Sequence, residues 1–126
     1  MIDSRKNIGR GMLSISNNTD FDAIIKIVEG GHTVRSICVR AYDNAEISNI
    51  GSGNYIVKFA LGMDYNPTTQ LFNHPQTFKQ FDESFEFQEY RADGYIHWRN
   101  FEISLNPVEG GTATAKVINE RDFRDD

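Results

Sequence analysis

The side chains with most chemistry to offer in this chain are three histidines, one cysteine and eighteen acidic residues, and their spacing decides how much of it is usable. His32, His74 and His97 stand too far apart for a local metal motif of the His-Glu-x-x-His kind, so only folding could gather them. His32, beside Gly30-Gly31, reads as a solvated hairpin residue. Cys38 lies between Ile37 and Val39 in a strand-like run, away from the electropositive, accessible setting that activates a thiol, and reads as structural. A glycosidase needs two carboxylates facing across a cleft. Alternation instead turns Glu86 outward and leaves Asp82 and Glu83 at a strand entrance, which is the pattern of solvated edge charge. Asp64 with Asn66 is only a fragment of an oxygen-rich calcium loop. The Ser and Asp residues gather in turns, where they have capping work, so no Ser-His-Asp order stands out. Asn17-Asn18-Thr19 fits the glycosylation sequon. No cofactor motif is present.

Recognition is left as the better prospect. In Tyr90-Arg-Ala-Asp-Gly-Tyr-Ile-His-Trp-Arg-Asn100, period two puts Ile96 and Trp98 on one face and Tyr95, His97 and Arg99 on the other. Trp, Tyr and Arg are the residues enriched at binding hot spots, so Tyr90, Tyr95, Trp98 and Arg99 form one candidate surface. Within it, the lone Trp98 is the residue expected to turn inward, as a lone tryptophan commonly fills the core of a small sandwich. A second candidate group, Tyr65, Asn66, Asn73 and His74, sits in the segment 62–82.

These groups need a scaffold, and the rest of the chain reads as strands. Short β-branched and aromatic runs, punctuated by Gly, Asn, Asp and Pro, predict strands near 12–16, 22–29, 33–42, 45–49, 54–61, 84–90, 95–105 and 112–118. The fold class is therefore all-β, an antiparallel two-sheet sandwich of seven or eight strands. Tyr55, Val57 and Phe59 alternate with polar positions and point inward, as do Phe85 and Phe87, then Phe101, Ile103 and Leu105, then Ile37, Val39 and Ala41. Residues 22–29 are apolar on both faces except at Lys26. Such a strand is central, or its outer side is covered, which would imply a partner. Gly30-Gly31, Asp43-Asn44 and Gly110-Gly111 suit hairpin turns. Residues 62–82 make a connection far longer than the others and read as a long loop crossing the sandwich, anchored by Phe78 and Phe81. The domain spans 11–118, between a flexible lead-in over 1–10 and a charged tail over 119–126.

Composition narrows the partners. Thirteen Lys and Arg against eighteen Asp and Glu leave a net charge of −5, which repels phosphate backbones and disfavours nucleic acid. No apolar stretch is long enough for a signal peptide or a membrane span, and a single cysteine suits a reducing compartment, so the cytoplasm is the default expectation.

The string Leu13-Ser-Ile-Ser-Asn-Asn-Thr-Asp-Phe-Asp-Ala-Ile-Ile-Lys-Ile27 resembles the opening of a bacterial immunoglobulin-like β-sandwich module that accompanies larger multidomain proteins. Gly53-Asn-Tyr-Ile-Val57 is similar to stretches of PEGA-like and carboxypeptidase-regulatory-like sandwiches. Together with Val34–Arg40, the Phe-rich run to Phe87 and Ile103–Gly111, the resemblance covers most of residues 11–118. It implies an accessory module without catalytic residues. The expected function is thus a non-enzymatic module binding a protein partner or another copy of itself, with carbohydrate binding through exposed aromatics as the alternative.

Overall fold

Runs that alternate apolar and polar residues can bury one face only by pairing edge to edge and stacking face to face. The structure is a computed structural model that describes residues 9–105 and 114–124; residues 1–8 of the expected lead-in and Gly110-Gly111 lie outside the described residues. The described residues form eleven strands and one short helix. The strands are β1 (Gly11–Ser16), β2 (Asp22–Glu29), β3 (His32–Val39), β4 (Asn44–Ile50), β5 (Gly53–Asn66), β6 (Leu71–Phe81), β7 (Phe85–Phe87), β8 (Glu89–Ala92), β9 (Tyr95–Trp98), β10 (Asn100–Ser104) and β11 (Ala115–Ile118), and the helix is α1 (Glu120–Arg124).

One sheet has the order β11-β6-β5-β2-β3, with β7 added to the start of β5, and the other has the order β10-β1-β4. Between them lies the main core. Leu13, Ile15, Ile47, Ile50 and Ile103 come from the smaller sheet, and Ala23, Ile25, Ile27, Tyr55, Val57 and Phe59 from the larger. The all-β, two-sheet expectation holds, and Phe81, Phe85, Phe87 and Leu105 are buried in this core with Phe101 half-buried against it. One pairing departs from the antiparallel rule: β1 and β10 run parallel, Leu13 opposite Phe101 and Ile15 opposite Ile103.

The segment expected as a crossing loop is the second arm of a long hairpin. β5 continues through Asn66, the chain turns over 67–70, and β6 returns to Phe81. Two features hide this strand. A bulge at Leu61/Gly62 reverses which residues face outward, and Pro75 interrupts the β pattern. Pro75 is tolerated because β11 covers only Phe78–Phe81, so the neighbouring stretch of β6 is an open edge. At Gly62 a Cβ would lie 2.7 Å from the Phe72 ring, so glycine lets that ring cross the backbone.

Of the expected charged tail, residues 119–124 are described and structured. Asn119 Oδ1 accepts from Asp122 N at 2.7 Å and caps α1, which places Phe123 at zero exposure on the outer face of the larger sheet. There it packs with Ile24, Ala60 and Phe72, flanked by Phe78. Lys26 Nζ donates to the Phe123 carbonyl at 3.1 Å and stands 4.6 Å from its ring centroid, while Lys58 Nζ donates to the Asp122 carbonyl at 2.7 Å. Both ammonium groups meet the carbonyl end of the helix, where positive charge is favourable. The second apolar face of β2 is therefore covered by the chain's own C-terminal segment.

Asn17 is the other buried polar anchor. Its Nδ2 donates to the carbonyls of Phe21, Val39 and Arg40 at 2.8, 3.1 and 3.1 Å, and its Oδ1 accepts from Thr19 N and Oγ1. The sequon is closed by this arrangement, because the carboxamide nitrogen is wholly buried and committed. Two substitutions check these anchors by chemical denaturation: Phe123→Ala is expected to cost about 3–5 kcal/mol through lost burial. Asn17→Ala is expected to cost roughly 1–3 kcal/mol by orphaning buried carbonyls.

Candidate functional site

Gln88 and Arg99 interrupt what the sequence presents as two continuous strands, and between these breaks the chain leaves the sandwich as a separate hairpin. Among the described residues, β8 and β9 pair with each other alone. Asp93 (φ 53) and Gly94 (φ 79) both adopt positive φ at the tip, the tight turn that Asp-Gly favours. At the base, Arg10 forms an ion pair with Glu89, and Glu89 N donates to Ser52 Oγ at 3.1 Å.

Pairing register fixes the two faces of this arm. Tyr90 lies opposite His97 and Ala92 opposite Tyr95, so Tyr90, His97 and Tyr95 share a face. The Tyr90 and His97 rings stack, with centroids 5.1 Å apart and planes 15° from parallel. Glu89, Arg91, Ile96 and Trp98 share the other face. Tyr90, Tyr95 and Trp98 are all exposed, Tyr95 at 72%. Arg99 follows at the base, its guanidinium 5.9 Å from the Phe101 ring centroid.

Tyr90, Tyr95, Trp98 and Arg99 are thus brought onto one arm, and the expectation that Trp98 turns inward is corrected. The break at Arg99 uncouples its alternation from that of β10, and the core space beside it is filled by Phe87 and Phe101, whose rings meet edge to face at 4.9 Å. Trp98 instead lines a narrow surface crevice with Gly11, Ile50 and Phe87.

The second candidate group stands at the β5–β6 tip and divides. Tyr65 is half-buried, its ring edge to face with Phe72 at 6.2 Å. Asn66 Oδ1 accepts from Thr68 N at 2.9 Å and Asn66 Nδ2 donates to Asn73 Oδ1 at 3.3 Å, while Asn73 Nδ2 donates to Asp64 Oδ2 at 2.9 Å. These amides hold the hairpin tip in shape. Only His74 stands exposed without such work, opposite the exposed Met63.

No protein-family model, curated protein or solved structure matches the chain. Any function must therefore be read from its own geometry. Among the described residues, no three His, Cys, Asp or Glu side chains gather as a metal site, and no helix is long and apolar enough to cross a membrane. Sequence reasoning missed Arg10 and Ser52, which fasten the arm; Arg10 is 79 positions from Glu89, and no local pattern links them.

Cys38 also departs from expectation. It is exposed on the outer face of β3, the edge strand of the larger sheet, whereas α1 packs on β5 and β6. Residual desolvation and the Asp22 carboxylate push the thiol above its ordinary range, with Arg40 offsetting part of that rise. The thiol is accessible, but less of it is ionised at a given pH than in a free cysteine. Labelling of the native protein by a thiol reagent at pH 8 is expected to go to completion, more slowly than with a free cysteine, and to accelerate in Asp22→Asn, which keeps an acceptor for Ala41 N.

Proposed function

We propose that this chain is a non-enzymatic β-sandwich interaction module, of the immunoglobulin-like or PEGA-like accessory kind, that presents its β8–β9 arm to a protein partner or to a second copy of itself. One observation carries the reading. Three large aromatics stand exposed on a hairpin that, among the described residues, pairs with no other strand and is fastened at its base. Exposed Tyr and Trp on a stiff element supply contact area at low cost in side-chain entropy, and residues of these types dominate binding energy at interfaces. Sugar binding by the same arm is the second reading, favoured by the near-parallel Tyr90 and His97 rings, which present a flat aromatic face.

The test compares a Tyr90→Ser/Tyr95→Ser double variant with Val117→Ser, which removes an equally exposed apolar residue far along the chain on β11. Association is read by sedimentation for self-pairing and by affinity capture for other partners. The arm variant is expected to weaken it by about 2 kcal/mol or more, roughly thirtyfold, with an unchanged unfolding midpoint, while Val117→Ser behaves as wild type. Equal association by wild type and arm variant defeats the proposal.

A further inference from the structure

At one end of the sandwich, the turn from β3 to β4 holds a side chain in an unusual position. Asp43 N donates to the Arg40 carbonyl at 3.1 Å, closing a four-residue turn whose third residue, Tyr42, has φ 59. That position of a turn favours glycine or asparagine, and bulky side chains seldom adopt positive φ. Tyr42 is nevertheless there, 69% exposed, with its hydroxyl held by Asp20 Oδ1. A ring that gains little from burial is thus fixed in solvent by a turn and a carboxylate. Backbone conformations of this kind point from geometry toward function.

The ring borders a shallow cleft of about 370 Å³, largely open to solvent, at the ends of the two sheets. Phe21, Leu61 and Leu105 make an apolar floor continuous with the main core. Around them the rim carries Asn18, Asp20 and Lys79, beside Tyr42. Asn18 Nδ2 donates to Ser104 Oγ at 3.3 Å, which leaves its carbonyl oxygen as an acceptor, and Asp20 keeps Oδ2 after Oδ1 has received Tyr42. The rim therefore offers donors and acceptors together, and its one carboxylate and one ammonium cancel. A charged ligand gains nothing net from such a pair. A ring with an apolar C–H face and a hydroxylated edge matches every part of it.

We propose that this cleft binds a neutral sugar ring, stacked on Tyr42 with its hydroxyls directed to Asn18, Asp20 and Lys79. The site is separate from the β8–β9 arm, and the proposal stands whether or not the arm binds a protein. Tyr42→Gly is the discriminating variant, because glycine suits the turn and removes the platform without straining the fold.

The experiment is an amide NMR titration of the full chain with glucose, galactose, mannose and N-acetylglucosamine, each taken to about 50 mM so that millimolar dissociation constants are visible. At least one sugar is expected to give saturable shifts centred on residues 18–21, Tyr42 and Lys79. Those shifts are expected to weaken at least tenfold in Tyr42→Gly, whose unfolding midpoint equals or exceeds that of wild type, and to persist in Tyr95→Ser. Absence of saturable shifts with all four sugars overturns the proposal, as do shifts centred on β8–β9 or shifts that survive Tyr42→Gly.

Discussion

The carboxamide of Asn17 is the point from which one end of this fold hangs. It sits where β1 leaves the smaller sheet, and its donor reaches carbonyls at the end of β3 and before β2, both in the larger sheet. Backbone bonds converge on the same place: Asn17 N donates to Asp43 O, and Leu105 N to Ser16 O. A polar side chain without solvent must satisfy every group or cost the fold its desolvation energy, so these chain segments are held in one arrangement. Hydrophobic stacking brings the sheets together without choosing how their ends meet. Asn17 supplies that choice, and with it the position of the turn that displays Tyr42.

A second constraint acts on the larger sheet, which is apolar on both sides. Its inner face is matched by the smaller sheet, and its outer face by Phe123, with two lysines bonded to the carbonyl end of the helix. The β8–β9 arm is organised differently. Among the described residues it has no sheet neighbours and is tied at its base by the Arg10–Glu89 ion pair and the bond from Glu89 N to Ser52 Oγ, so its local stability depends on a tight turn and ring stacking more than on burial.

Much of the scaffold was legible because burial follows period two wherever a strand runs unbroken, as in Tyr55-Ile-Val-Lys-Phe59 and Phe101-Glu-Ile-Ser-Leu105. The legibility ends at interruptions. β6 was obscured by Pro75 and by the bulge at Gly62, which shifts the pattern out of phase midway along the hairpin. α1 has five residues, too few for a helical period to show. Alternation separated Trp98 from Tyr95 correctly, yet it could not say that the strand breaks at Arg99, and so the inward direction assigned to Trp98 had no core to point to. For Cys38 the face was readable, and what covers that face was not. Tyr42 carried no mark at all, since a tyrosine in a turn does not announce a backbone that suits glycine.

The placement of Phe123 also bears on how the chain reaches its native state. Strands β2, β5 and β6 precede it in the sequence, so during synthesis from the N-terminus they are complete while Ile24, Ala60 and Phe72 still lack their cover. For that interval the nascent domain carries an uncovered apolar strip beside the open edge of β6, the combination that invites strand pairing with a neighbouring chain. Residues 115–124 close that strip, β11 pairing with Phe78–Phe81 of β6 and α1 packing Phe123 on the outer face. Until residues 115–124 are in place, the strands that precede them present that strip to solvent.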